Sequence, residues 1–204
     1  MSFRIELKAI VFPERLSEIV SWLLKNKGIS LHEDRLVNSV YYENKSFSMY
    51  HDSNEGVIPR KKIRYRCYES IFDLDEFLKK SNFEIKITSA EGRFKKIYRN
   101  EYKNNFSLLN YKDNQYGYCE PKLNVSYLRS YFTIGKFRLT IDKEITYRNI
   151  IFSKISPIFL KEKINIVELK YNKQYLDNAI LENFPFKFIR FSKYCRGISF
   201  FNKI

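Results

Sequence analysis

The sequence predicts an α+β domain dominated by strands. Five segments alternate apolar and charged residues with period 2, and two others carry apolar residues at helical spacing. Phe3, Ile5 and Leu7 alternate with Arg4, Glu6 and Lys8; Ile63, Tyr65 and Cys67 alternate with Arg64 and Arg66. Phe83, Ile85 and Ile87 alternate with Glu84 and Lys86, and Phe137, Leu139 and Ile141 with Arg138, Thr140 and Asp142. After Ile166, Val167 and Leu169 alternate with Glu168 and Lys170. A sixth, mixed strand covers Leu123 to Arg129, with Tyr127 and Arg129 on one face.

The first helix is expected from Pro13 to about Lys27: Pro13 suits the first helical position, Leu16, Ile19, Val20, Leu23 and Leu24 form a stripe, and Gly28 stops it. The second runs from Lys173 to Asn183, with Leu176, Ala179, Ile180 and Leu181 on one side and Pro185 just beyond. Both are amphipathic. The stretch Tyr50-His51-Asp52-Ser53-Asn54 reads as a turn.

The chain has 204 residues, of which 44% are hydrophobic and 17% aromatic, enough for a packed core and against intrinsic disorder. No composition shift or repeat marks a boundary, so residues 1–204 are read as one domain. No apolar run reaches the ~18 residues a membrane-spanning helix needs, and the charged N-terminus is unlike a signal peptide. A cytoplasmic protein is therefore expected. Cys67, Cys119 and Cys195 are odd in number and widely spaced, which argues against a disulfide framework or a zinc knuckle.

A net charge of +14 predicts a polyanionic partner. The charges are concentrated on the polar faces of the strands, where an ordinary wetted face would mix in Ser and Thr. Two geometries accommodate them. An open sheet would present a highly charged plate; a closed barrel would turn the charges inward and leave the helices on its apolar outside. Single-stranded nucleic acid would need aromatics among the charges, whereas Phe3, Tyr65, Phe83 and Phe137 lie on the opposite parity, so nucleic acid is not the expected partner.

A series of motifs gives a sharper expectation. Ser39-Val40-Tyr41-Tyr42, Phe47 to Asp52, Gly56 and Arg60 to Arg66 are followed by Phe83 to Lys86, Glu91 to Lys95 and Val125 to Arg129. Phe137 to Asp142, Val167 to Lys170 and Phe191 to Gly197 complete the series. In this order the chain resembles the polyphosphate polymerase domain of the vacuolar transporter chaperone (VTC) family, within the triphosphate tunnel metalloenzymes. The resemblance implies a closed antiparallel eight-stranded β-barrel with a charged interior and peripheral helices. It also implies metal-dependent transfer of the terminal phosphoryl group of a nucleoside triphosphate, such as ATP, to inorganic polyphosphate.

Matched position by position, the resemblance implies Lys8, Arg64, Arg66, Lys86, Arg129, Arg138 and Lys193 as phosphate contacts in catalysis, and Lys170, Tyr127 and Arg196 as substrate-binding residues. It implies Glu168 as a ligand for Mn²⁺ or Mg²⁺, with Glu6 and Glu84 assisting, since these hard cations favour carboxylate oxygen. Plainer roles stand beside these. Glu6 and Glu84 could neutralise neighbouring Lys or Arg, Tyr127 could be packing, and Arg60, Lys61 and Lys62 could be a solvated edge or a guide for an anionic chain.

Related tunnel hydrolases open on Glu-x-Glu-x-Lys, where this chain has Arg4-Ile5-Glu6-Leu7-Lys8. Arg4 in place of the first Glu favours the polymerase over an inorganic triphosphatase or nucleotide hydrolase. A binding module that holds polyphosphate or nucleotide without turnover is the other alternative. A membrane partner, where one exists, is expected to be a separate chain.

Overall fold

A computed structural model describes residues 4–98, 110–172 and 178–202. The strands are β1 (Arg4–Val11), β2 (Ile29–Glu43), β3 (Arg60–Cys67), β4 (Asn82–Ser89), β5 (Gly92–Tyr98), β6 (Tyr111–Asp113), β7 (Gly117–Ile134), β8 (Phe137–Ile151), β9 (Lys154–Lys161) and β10 (Asn165–Asn172). The helices are α1 (Leu16–Lys25), α2 (Ser48–Glu55), α3 (Leu74–Lys80), α4 (Asn178–Glu182) and α5 (Lys193–Asn202), with a 3₁₀ turn at Pro13–Arg15 ahead of α1.

All six segments expected as strands are strands over their described residues; Phe3, at the start of the first, lies outside them. Hydrogen bonding runs in the order β1-β10-β8-β7-β2-β3-β4-β5, with β6 on β7 and β9 on β8. The eight-stranded closed barrel is therefore corrected: among the described residues the sheet has ten strands, and no pairing joins β1 to β5. A physical reason is visible on β1. The carbonyl of Lys8 accepts a hydrogen bond from the Ile189 amide at 2.7 Å, so part of the edge of β1 away from β10 is already taken.

The chain divides into two compact units. The first comprises residues 1–36, 127–145 and 161–191, the second 37–126, 146–160 and 192–204. In the first, the antiparallel registers Leu7↔Leu169 and Leu169↔Leu139 align the odd residues of β1, β10 and β8. Ala9, Val11, Val167, Leu169, Leu139 and Ile141 pack with Ile19, Trp22 and Leu23 of α1. Trp22 meets Phe184 edge-on at 5.1 Å, and Phe184 stacks on Phe188 at 4.7 Å. This face excludes water, so the even residues of the same strands form the opposite, charged face.

The second unit repeats that logic. Tyr42, Tyr65, Phe83 and Tyr98 form an aromatic ladder across β2, β3, β4 and β5, with ring centroids 4.9–5.7 Å apart. Asp73 caps α3 by accepting the Glu76 amide at 2.8 Å, and the helix buries Leu74, Phe77 and Leu78. The C-terminal α5 buries Tyr194, Gly197 and Ile198. A Cβ on Gly197 would lie 2.7 Å from both Leu123 Cδ2 and Tyr147 Cδ1, so glycine lets this helix approach the strands closely.

Two local expectations change. Residues 50–54 are not a turn but the body of α2, which follows Phe47 in a left-handed conformation (φ 52°) and ends at Gly56 (φ 90°). The helix expected from Lys173 to Asn183 is described only as α4; residues 173–177 lie outside the described residues. Among the described residues no helix is long and apolar enough to cross a membrane. Cys67, Cys119 and Cys195 are free thiols.

Candidate functional site

In the first unit the charged face is set by register. Glu6 stands opposite Lys170 and Lys8 opposite Glu168, while Thr140 and Arg138 of β8 face Glu168 and Lys170 from the other side. Arg129, on β7, grips Asp142 with two parallel bonds: Nε donates to Oδ1 at 2.5 Å and Nη2 to Oδ2 at 2.7 Å. Its Nη2 also lies 3.7 Å from Glu168 Oε2. Lys170 Nζ lies 3.3 Å from Glu168 Oε1 and 3.7 Å from Glu6 Oε1.

Burial works against the charge on Arg129, but Tyr127, Asp142 and Glu168 outweigh it and hold its pKa well above the ordinary value. The guanidinium sits 5.1 Å from the Tyr127 ring centroid, which gives Tyr127 a contact role with Arg129. Arg138 is exposed and lies 5.3 Å from the Tyr131 centroid, with no carboxylate partner among the described residues. Lys8 donates to the Phe191 carbonyl at 2.8 Å, so its ammonium is tied to the backbone just before α5.

The second unit's face has a different balance. Buried Arg64 donates to Glu84 Oε2 through Nε at 2.8 Å and Nη2 at 2.5 Å, and through Nη1 to the Tyr41 hydroxyl at 3.0 Å. Lys95 Nζ donates to Glu84 Oε1 at 2.8 Å. Burial would raise the Glu84 pKa, but Arg64, Arg66 and Lys95 override it and hold the carboxylate down at about 2. Tyr41 behaves likewise: burial pushes its pKa up, and Arg64, Arg66 and Lys62 pull it below the ordinary value.

Arg66 donates to Ser39 Oγ at 2.9 Å, and Lys62 to Ser192 Oγ at 2.8 Å with its ammonium 5.0 Å from the Tyr194 ring. Register sets Lys62 opposite Lys86 and Lys86 opposite Lys95. Lys62, Arg64, Arg66, Lys86 and Lys95 thus share a face on which Glu84 is the carboxylate of β4. Such an arrangement repels itself and attracts an extended anion.

Lys193 opens α5 and is partly buried, whereas Arg196 is exposed and lies 4.7 Å from the Phe200 centroid, one helical turn along. Sequence reasoning assigned no role to Asp142, Tyr41, Lys62 as an ordered donor, or Glu43. Asp142 lies in a matched motif and on the charged parity, so its signal was present. Glu43 had none: it is wholly buried, accepts from the Tyr50 amide at 2.7 Å, the Asn44 amide at 3.1 Å and the Tyr194 hydroxyl, and burial lifts its pKa to about 7.

Among the described residues there is no group of three or more His, Cys, Asp or Glu that could hold a metal by itself. The donor chemistry still fits a hard divalent cation that shares its coordination with phosphate. Glu6 and Glu168 lie on adjacent strands and face the same Lys170, and Thr140, opposite Glu168, buries an Oγ1 with no hydrogen-bond partner.

Comparison with known proteins agrees with this architecture. A structure from Bacillus halodurans, described as a candidate adenylate cyclase, superposes with a TM-score of 0.56 at 14% identity, covering 98% of each chain. A candidate adenylyl cyclase from Hippeastrum, described as revealing a dominant triphosphatase activity, gives 0.51 at 11% identity over 98% of this chain and 96% of its own. At these identities the likeness is one of fold. No curated protein matches the sequence. The VTC domain matches residues 3–202, nearly end to end, and the chain belongs to that family.

Proposed function

We propose that the chain is a metal-dependent phosphotransferase, a polyphosphate polymerase that lengthens inorganic polyphosphate at the expense of ATP or another nucleoside triphosphate. Residues 1–204 would act as one functional domain in the cytoplasm, with any membrane-protein partner supplied by another chain. The observation that carries the reading is the basic excess around Arg64: Lys62, Arg66, Lys86 and Lys95 share a strand face whose β4 carboxylate, Glu84, is already engaged. A hydrolase needs to hold a triphosphate; a polymerase must also hold a long product, and rows of fixed cations suit that task.

In the reaction a terminal oxygen of the chain attacks the γ-phosphorus, the bond to the β–γ bridging oxygen breaks, and the nucleoside diphosphate leaves with that electron pair. The chain grows by one phosphoryl unit. Arg138, stacked on Tyr131 and without a carboxylate partner among the described residues, is suited to follow the transferring group. Arg129 and Lys170 orient Glu168 and Glu6, the carboxylates that would hold Mn²⁺ or Mg²⁺; when bound, the ion neutralises charge on the phosphate oxygens. Glu84 serves mainly to fix Arg64, Tyr127 lies against Arg129, and Lys8, Lys193 and Arg196 would add positive charge for the anion.

A triphosphatase is the second reading, favoured by the carboxylates Glu6, Asp142 and Glu168 that the first unit gathers on its charged face. Incubation with ATP and Mn²⁺, followed by a gel that resolves polyphosphate and an assay for orthophosphate, separates the two. Chain growth supports the polymerase. Orthophosphate alone supports the hydrolase, and neither product leaves a binding module.

A further inference from the structure

We propose that the hairpin formed by β8 and β9 is an interfacial anchor that seats this protein on an anionic lipid surface. At its tip, Phe152 is 96% exposed, the most exposed large apolar side chain among the described residues, and Ile158 on the returning strand is 75% exposed. Ile151, Phe159 and Leu160 are exposed too. A soluble surface tolerates single apolar residues in water, but five exposed ones along one hairpin, with an aromatic ring at its turn, point to an interaction.

The backbone adds an independent observation. Phe152 and Ser153 both have positive φ, 47° and 57°, which makes the tip a two-residue turn of the kind normally given to Asn-Gly. Phenylalanine is a poor choice there, since its Cβ crowds the left-handed conformation. Stability therefore does not account for an aromatic ring held in water at that position. A role outside the folded chain does.

The charge pattern selects the occupant. From Thr146 to Leu160 there is no Asp or Glu, and the charged residues are Arg148 and Lys154. Arg148 is held between Phe72 and Phe159, 4.7 Å from each ring, and Lys154 is exposed beside the tip. An apolar tip flanked by cations matches the headgroup region of an anionic bilayer, where aromatic rings enter the interface and Lys or Arg meets the phosphates. A second copy fits less well, because a symmetric contact would bring Lys154 and Arg148 against themselves on chains of net charge +14.

Sedimentation of the full chain with vesicles of phosphatidylcholine, alone or mixed with phosphatidylserine, tests the proposal. Binding is expected to the mixed vesicles and to fall at least about tenfold in Phe152→Ser/Ile158→Ser, since two exposed apolar side chains are lost without disturbing the core. Phe152→Trp is expected to show a blue-shifted emission on mixed vesicles relative to the wild type, whose own Trp22 is buried. Equal binding by the double variant would assign lipid attraction to the basic strand faces and overturn the proposal. An unshifted Phe152→Trp would overturn it as well, as would absence of vesicle binding with or without a dimer that Phe152→Ser dissolves.

Discussion

The hydroxyl of Tyr194 donates to the carboxyl of Glu43, tying α5 to the end of β2 through a fully buried acid. The same carboxyl accepts the Tyr50 amide and so also holds the first turns of α2. A strand end, a short helix and the C-terminal helix thus converge on one titratable group.

This contact makes stability depend on pH in an unusual direction. Burial, and more weakly Asp52, raises the Glu43 pKa from an ordinary carboxylate value to about 7. The folded state then binds a proton that the unfolded state has released, so stability is full below the unfolded pKa and falls as pH rises to about 7. Stability is expected to fall between about pH 4.5 and pH 7, by up to about 3 kcal/mol, and to level off above that, which thermal melts across this range would show. Glu43→Gln, which keeps an acceptor but cannot ionise, should flatten that slope. An unchanged slope in the variant would place the titration elsewhere.

Glu84 works in the opposite sense and in a separate window. With its pKa held down at about 2 by Arg64, Arg66 and Lys95, it stabilises the fold above the unfolded carboxylate pKa, and that contribution is lost as pH falls toward 2. Because Arg64 and Glu84 are both buried, Arg64→Ala leaves the carboxylate with Lys95 as its ion-pair partner and is expected to destabilise the fold by less than the ~3–5 kcal/mol of a buried charge left with no partner. Chemical denaturation should show this as a lower midpoint at unchanged slope. A wild-type midpoint would mean that Lys95 alone holds the buried carboxylate.

Much of the fold was legible where a strand is wet on one side, because burial then imposes period 2: β1, β3, β4, β8 and β10 were read from that signal. The long β2 escaped because it changes from mostly exposed at Ile29 to buried at Glu43, so no single alternation persists. On β9 apolar residues stand exposed, which breaks the rule that the reading depends on. Tyr50 to Asn54 looked like a turn from its polar residues, but Met49 and Tyr50 bury and draw the segment into α2. The charged strand faces followed from parity, whereas the site residues on them were implied by the family resemblance. Glu43 followed from neither, since its contacts come from residues distant in sequence, and a lone buried Glu has no periodic signature.

Glu168→Gln tests the carboxylate set of the first unit. The amide is nearly isosteric, so the fold should persist, but an anionic oxygen opposite Lys170 and Arg129 is removed. Turnover at a given Mn²⁺ concentration is expected to fall strongly, with a metal titration shifted to higher concentration. An unaltered titration would restrict Glu168 to pairing with Lys170 and Arg129.

Arg138→Ala separates a catalyst from a container. The side chain is exposed, rests on Tyr131 and has no carboxylate partner among the described residues, so its removal should leave the melting temperature nearly unchanged, unlike Arg64→Ala. Losing a preorganised cation at a transferring phosphoryl group typically costs about 10² to 10³ in rate. Affinity for polyphosphate should fall much less, because Lys62, Arg66, Lys86 and Lys95 remain to hold a long anion. Chain synthesis from ATP and polyphosphate binding, measured on the same preparation, give the comparison. A large loss of synthesis with modest loss of affinity assigns Arg138 to the chemistry. Small, equal losses in both would mean that it merely contributes to the field of a binding surface, with an effect that weakens further as salt screens it.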